Sequence, residues 1–438
     1  MSVHSIATQR FFRKAFAIIF GVVLGLLLTE YCFVLYDKNA FPHVNFYKHD
    51  PVLGARLIPN TTQKFQLVPN PITTIHTNSQ GYRGNEFLAK AKNEILVVGD
   101  SQVFGLGVED DETFSSVLRK LLKRSVINAG IPTYGPQEYM VVAEEFLKKR
   151  KPRYLFFTIN YANDAFEVKR PNTKRHKIWD SWAVRIETAP KNVFRFPGRN
   201  LIFRHSHIVY HFRRVYYYLQ KPKPQSLPSE GTWTDLLEEH MFNGRILTKI
   251  QTLESKEKVL QESRIGPQDI VHSQYSEAAR PIEYTSQEID KAAKELQIID
   301  KKLSQLKKHR IALEKKVYSH THDRSVFDGT LKRLKKLGKK YYVTPVVLIL
   351  PLDVQVSAKE WKKYKIHKPI DMKPTRILLA RVARNARRLQ IPVINLTRTL
   401  AKASPGAFLD HDLHMTPKGH KAVAQTLAKF IKRWEGWK

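Results

Sequence analysis

From Asn93 the chain alternates short apolar runs with amphipathic stretches, and this rhythm constrains the fold more than anything else in it. "EILVVG", "SVINAG" and "RYLFFTIN" read as strands; "DETFSSVLRKLL" and "PQEYMVVAEEFLKK" between them read as helices. In the first helix Phe114, Leu118, Leu121 and Leu122 share a face, and Asp111 is the expected N-cap. The rhythm resumes with the strand "TPVVLILPLDVQV", the helix "PTRILLARVARNARRLQ", the strand "PVINL" and the helix "PKGHKAVAQTLAKFIKRW". Strand–helix alternation of this kind makes an open parallel sheet with helices on both faces. The expected class is therefore α/β, in two parts at 93–168 and 331–438.

Open parallel sheets bind ligands beyond the carboxyl ends of their strands. Polar residues collect at those ends. The first strand runs into Gly99-Asp100-Ser101, the second into Asn128-Ala129-Gly130, and the third into Asn160-Tyr161-Ala162-Asn163-Asp164. Before the last helix stands Asp410-His411-Asp412-Leu413-His414. A serine hydroxyl attacks only when a base takes its proton, and histidine is the natural base near neutral pH. A carboxylate fixes the tautomer of that base, and backbone or amide N–H groups hold the oxyanion that forms. The inventory is that of acyl transfer. Alternatively, Ser101 caps a turn, Asn163 is a turn residue, and Gly130 serves a positive φ. Gly105 and Gly107 read as loop glycines, Asp100 as a residue that orders the turn, and His420 as packing in the last helix.

"GDSQVFGLG", "NAG", "NYAND" and "DLHMTPKGH", in that order, resemble the SGNH (GDSL-like) hydrolases. "HDPVLGARLIPN" and "TNSQGYRG" resemble the lead-in of membrane-anchored bacterial members. The resemblance implies a three-layer α/β/α sandwich with a flavodoxin-like sheet and hydrolysis or transfer of acyl groups on lipids and sugars. It makes Ser101 the nucleophile and His414 the base, with an oxyanion hole at Ser101, Gly130 and Asn163. The family's usual Asp-x-x-His is absent, because His411 stands three residues before His414. Asp412 gives the Asp-x-His of some envelope-polysaccharide acyltransferase relatives and is the favoured carboxylate; Asp410 is the other. His411, His414 and His420 match no zinc ligand spacing. No metal or cofactor is expected.

Residues 15–36, "AFAIIFGVVLGLLLTEYCFVLY", carry one charge, Glu30, and approach the roughly 20 residues that a bilayer core requires. Arg10, Arg13 and Lys14 precede them, which directs 1–14 to the cytoplasm and the rest to the extracytoplasmic, periplasmic side of the cytoplasmic membrane. "LTEYC" offers no small residues for signal cleavage. A single-pass, uncleaved anchor is the expectation. Residues 37–92, rich in Pro, Asn, Gly and Thr, read as extended strands and turns packed on the front of the catalytic domain.

Residues 169–330 break the pattern and read as a basic, helical insertion. A seam of Ile289, Ala292, Leu296, Ile299, Leu303, Leu306, Leu313 and Val317 is interrupted at Arg310. A shorter seam of Ile246, Ile250, Leu253 and Leu260 is interrupted at Glu257. An antiparallel helical hairpin with "RIGPQD" and "AARPIEY" in its connection is the simplest arrangement, and an intermolecular coiled coil the other. It serves either as a docking arm for a protein partner or as a solvated bridge. The formal charge of +34 favours acidic lipid or polymer as neighbours; outside the membrane no nucleic acid is expected. With one cysteine, Cys32, no intrachain disulfide forms.

The functional expectation is a membrane-anchored serine esterase acting on an acylated carbohydrate or lipid, such as an O-acetyl ester of an envelope glycan. Two alternatives stand beside it. One is an acyltransferase using the same residues, and the other a non-catalytic scaffold acting through the helical insertion.

Overall fold

A computed structural model describes residues 3–88, 91–161, 163–186, 189–190, 192–220, 244–272, 285–319, 325–364 and 372–436. The chain opens with helix α1 (Val3–Tyr36), followed by the short strands β1 (Tyr47–Asp50), β2 (Gly54–Leu57), β3 (Thr62–Phe65) and β4 (Thr73–His76). The alternating region supplies β5 (Ile95–Gly99), α2 (Ser101–Phe104), α3 (Phe114–Leu122), β6 (Val126–Gly130), α4 (Pro136–Lys149), β7 (Tyr154–Asn160) and α5 (Asp164–Glu167). Then come β8 (His176–Trp179), β9 (Trp182–Arg185), α6 (Arg199–His205), α7 (His207–Gln220), and the long helices α8 (Gly244–His272) and α9 (Ser286–Ser319). The chain closes with α10 (Asp328–Tyr341), β10 (Thr344–Leu350), α11 (Asp353–Val356), α12 (Lys373–Arg388), β11 (Val393–Asn395), α13 (Thr397–Ala403) and α14 (Pro417–Trp434).

The protein is mixed α/β around a five-stranded sheet of order β11-β10-β7-β5-β6, every neighbouring pair parallel. Strands β5, β6 and β7 are buried at every residue, as expected of parallel strands covered on both faces. Ile95, Val97, Tyr154, Phe156, Val346 and Leu348 face a core shared with α3, α13 and α14. The intervening residues face the other way, where Tyr139 of α4 meets Phe157 edge-on at 5.6 Å. Each fully buried aliphatic or phenyl side chain in such a core is worth roughly 1.5–3 kcal/mol over exposure. The order places β5 between β6 and β7, so the ends of three strands open side by side.

The lead-in folds as two antiparallel hairpins, β1–β2 and β3–β4. It packs on the sheet domain: Tyr134 Oη donates to Ala55 O at 2.5 Å, and Tyr47 Oη to Pro132 O at 3.4 Å. Residues after Lys169 that carry no clear periodicity form the hairpin β8–β9 and the helices α6 and α7. They group with the sheet domain. The compact units are Met1–Ser229 with Phe327–Pro369 and Val382–Lys438, and Glu230–Val326 with Ile370–Arg381, so the separate unit is narrower than 169–330.

Within the second unit α8 and α9 run antiparallel. Glu257 accepts from Arg310 Nε at 3.0 Å, and Arg264 pairs with Asp300 at 3.0 Å. The residues that interrupt the two seams thus pair with each other, and Glu257 is buried, as are Ala292 and Leu303 of the longer seam. "RIGPQD" does not form a connection; it lies inside α8, with Pro267 in the helix interior. A proline there removes one backbone hydrogen bond and crowds the carbonyl one turn earlier, a local cost within a helix otherwise paired along its length, as at Arg264 and Asp300. "AARPIEY" falls outside the described residues.

Among the described residues one helical segment, Phe11–Tyr36, is long and apolar enough to cross a membrane. Its one acidic residue has partners: Glu30 accepts from Ser206 Oγ (2.8 Å), His207 N (2.6 Å) and Ile208 N (3.1 Å), so it caps α7.

Candidate active site

Strand β5 ends at Gly99, and the chain turns at once into the four-residue helix α2 with Ser101 as its first residue. Asp100 caps that turn, its Oδ1 accepting from Gln102 N at 3.0 Å. Gly105, in the left-handed conformation at φ 88°, ends it. The turn folds back so tightly that a Cβ on Gly99 would lie 2.3 Å from Val103 Cγ2, and one on Gly130 would lie 2.5 Å from Phe104 N. Glycine is therefore required at both strand ends by close approach. Gly130 is not at positive φ, which corrects the turn-glycine expectation for it.

The underside of the turn is fastened by Arg83, from the "QGYRG" stretch. Its guanidinium is buried and donates to the carbonyls of Phe104 (3.1 Å), Gly105 and Val108, while Nε pairs with Asp110 at 2.7 Å. Two of these carbonyls, Phe104 and Gly105, stand at the end of α2, where a helix leaves its C=O groups without an intrahelical partner.

The other half of the site is the loop before α14. Leu409 N donates to His414 O at 2.8 Å, and Phe408 bridges to Met415, closing the loop into a narrow hairpin. Asp412 Oδ1 accepts from His414 N at 2.7 Å and lies 2.6 Å from His414 Nδ1. The two-residue spacing makes this an Asx-type turn, in which one oxygen meets both the backbone and the ring of residue i+2. A carboxylate only accepts, so Nδ1 carries the proton and Nε2 is the basic nitrogen. That nitrogen lies 2.8 Å from Ser101 Oγ, 313 positions away in sequence. Asp412 and His414 are each 1 % exposed, while Ser101 is half-buried.

The structure separates the neighbours of this set clearly. Asp410 is exposed and engages Asn70 through its backbone, with Asn70 Nδ2 donating to Asp410 O (2.8 Å) and Asp410 N to Asn70 Oδ1 (2.9 Å). His411 is exposed at φ 55°. His420 is buried; its Nδ1 accepts from Phe114 N at 3.1 Å, and burial pushes its pKa down to about 3. Among the described residues no cluster of His, Cys, Asp or Glu could hold a metal ion.

The oxyanion donors are less simply arranged. Gly130 N donates to Asn128 Oδ1 at 3.1 Å. Asn163 Nδ2 donates to Glu167 Oε2 at 2.9 Å, and its Oδ1 accepts from Asn160 Nδ2 at 3.1 Å. Asn160 Nδ2 also reaches Asp100 Oδ2 at 2.7 Å, tying the ends of β5 and β7 together. Behind them lies a buried acidic layer. Desolvation raises the pKa of Asp100 and of Asp164, and raises Glu167 to about 7 although Arg175 pairs with it.

Sequence reasoning missed Arg83, Asn70, Asn160 and Gln102, whose Nε2 donates to Leu413 O at 3.0 Å and joins the serine turn to the histidine loop. Asn160, Gln102 and Arg83 lay inside quoted motifs without a role being read from them; Asn70 gave no signal beyond being polar.

Compared with known proteins, the chain matches no protein-family model and no curated protein.

Proposed function

We propose that this chain is a membrane-anchored serine esterase of the SGNH type, its sheet domain a three-layer α/β/α sandwich outside the cytoplasmic membrane. The observation that carries this reading is the unbroken relay from Asp412 through His414 to Ser101, at 2.6 and 2.8 Å, at the carboxyl end of β5. Few structural roles call for a buried Asp–His pair aimed at a half-exposed hydroxyl.

The chemistry follows from the geometry. Ser101 Oγ attacks an ester carbonyl as its proton passes to His414 Nε2, and Asp412 stabilises the imidazolium that results. The carbonyl oxygen becomes an oxyanion facing Ser101 N–H and, once Asn163 turns its amide from Glu167, Asn163 Nδ2. Gly130 joins this hole only if its N–H leaves Asn128. Collapse expels the alcohol, which takes the proton from His414 and leaves an acyl-Ser101. Water, deprotonated by His414, then releases the acid and restores the serine. The substrate fitting an anchored envelope enzyme is an O-acylated carbohydrate or lipid, most simply an O-acetylated glycan.

A second reading is favoured by one observation. Asp412 stands two residues before His414, the spacing of the envelope acyltransferase relatives named above, and here it is the carboxylate that meets the ring. A sugar hydroxyl would then replace water in the second half-reaction. Incubating the full chain with O-acetylated glycan separates these outcomes. Acetate release that disappears in Ser101→Ala supports the esterase, and acetyl transfer to added glycan outpacing release supports the transferase. Turnover undiminished in Ser101→Ala removes both.

A further inference from the structure

We propose that α7, together with the turn and helix before it, is a membrane-surface element that lies in the headgroup layer of the bilayer crossed by α1. This rests on the anchor reading of α1. The apolar segment Phe11–Tyr36 has 26 residues. At about 1.5 Å per residue that is about 39 Å, against a hydrocarbon core of about 30 Å. A core entered just after the flanking Arg13 and Lys14 is left near Val34, so Tyr36 and Asp37 stand in the headgroup layer with Glu30 about one turn beneath the exit.

It is at this level that α7 is fastened to α1. Glu30 caps its first turn, Asp37 meets His207 Nδ1 at 2.6 Å and His211 Nε2 at 2.9 Å, and Phe33 stacks on His211 with ring centroids 4.4 Å apart. One side of α7 is committed to the domain, where Arg213 pairs with Asp180 at 2.6 Å and Tyr210 stacks on Trp182. The other side carries an apolar stripe at helical spacing, with Phe212 71 %, Val215 54 % and Leu219 74 % exposed. Leu201 and Ile202 on α6 and Phe194 ahead of it are also exposed. Phe and Leu side chains open to water beside a membrane exit are costly there and stabilising in the interface.

The occupant is the lipid itself, because the stripe begins where α1 leaves the hydrocarbon and so continues a lipid-facing surface. Exposed Arg195, Arg214 and Lys38 nearby favour anionic headgroups. An amphipathic element of this kind sinks about 5–10 Å below the headgroup surface. It would hold the Ser101 domain in a fixed orientation near the membrane.

The test uses the full chain in nanodiscs containing phosphatidylglycerol, with Cys32→Ser as background and nitroxides on single cysteines introduced by Phe212→Cys or Leu219→Cys. Leu27→Cys on α1 and Lys120→Cys on α3 are the controls. Collisions with oxygen should exceed those with an aqueous nickel chelate several-fold at 212, 219 and 27, and the order should reverse at 120. If 27 reports lipid while 212 and 219 behave like 120, the docking element is wrong and the anchor stands. If 27 itself reports water, the anchor reading fails and takes this proposal with it. Exclusion of both probes at 212 and 219 means that protein, such as a second copy of the chain, covers the stripe, and this also overturns the proposal.

Discussion

The turn that carries Ser101 and the loop that carries His414 reach the same point by different means. Ser101 is placed by the sheet: a buried strand ends, two glycines allow a tight return, and the turn's own carbonyls are held by Arg83. His414 is placed by a largely buried loop between α13 and α14, whose backbone closes on itself through Leu409 N to His414 O and Thr416 N to Ala407 O. Its register depends on side chains from distant segments, namely Asn70 on Asp410, Gln102 on Leu413 O, and Lys363 Nζ on Asp412 O at 3.3 Å. The nucleophile is thus a product of topology and the base a product of latching. Changes under the serine should register mainly as stability, and changes around the histidine loop mainly as rate.

The largest effect should come from the base side. Asp412→Asn should lower kcat by about 10⁴-fold, since the ring then loses the partner that fixes its tautomer. Asp410→Asn, whose backbone alone is engaged, should leave kcat within about twofold, as surface substitutions do. Ester-hydrolysis kinetics on the two variants check the pair, and equal losses would move the orienting role away from Asp412.

Under the serine, Arg83→Met strips three carbonyls and the Asp110 carboxylate of their buried partner. Breaking such a pair costs about 3–5 kcal/mol. Urea unfolding should register that loss, while whatever fraction stays folded keeps the Ser101–His414 relay. Asn70→Ala is the converse. It removes three hydrogen bonds, two to the Asp410 backbone and one to Leu67 O, worth about 0.5–1.5 kcal/mol each, yet a loosened base loop should lower kcat by about 10–100-fold, as a misplacement near 1 Å does. A stability loss as large as that of Arg83→Met, with kcat unchanged, would erase the distinction between the two regions.

The smallest effect concerns His420, which packs where the two regions meet. Its pKa is depressed from 6.5 to about 3 by burial, so the unfolded chain binds a proton there that the folded chain refuses. The resulting stability is complete above about pH 6.5 and is lost as pH falls toward 3. His420→Gln should flatten that part of the stability–pH curve, measured by denaturant titration at several pH values. An unchanged slope would place the acid sensitivity elsewhere.

The strands of the sheet were legible because parallel strands buried on both faces are uninterrupted apolar runs, and the polar residues at their ends stood out against them. Helix boundaries were less so. Thr113, not Asp111, caps α3, its Oγ1 accepting from Ser116 N at 3.2 Å, because the helix starts at Phe114 and Asp111 is two residues too early; Asp111 instead pairs with Lys120. Leu121, expected on the inner face of that helix, is 43 % exposed. Helix α10 went unread because its lysines hide a narrow stripe of Leu331, Leu334 and Leu337, all buried. The latches were invisible for a different reason. Asn70 and Asp410 are 340 positions apart, and Gln102 and Leu413 are 311 apart, so nothing local marks them as partners.

The most direct test is the rate at which a fluorophosphonate labels the full chain, with the modified peptide mapped by mass spectrometry. The adduct should sit on Ser101, form at the wild-type rate in His411→Ala, and fail to form in His414→Ala. Labelling of another residue, or of Ser101 at full speed without His414, would contradict a hydroxyl activated by that imidazole.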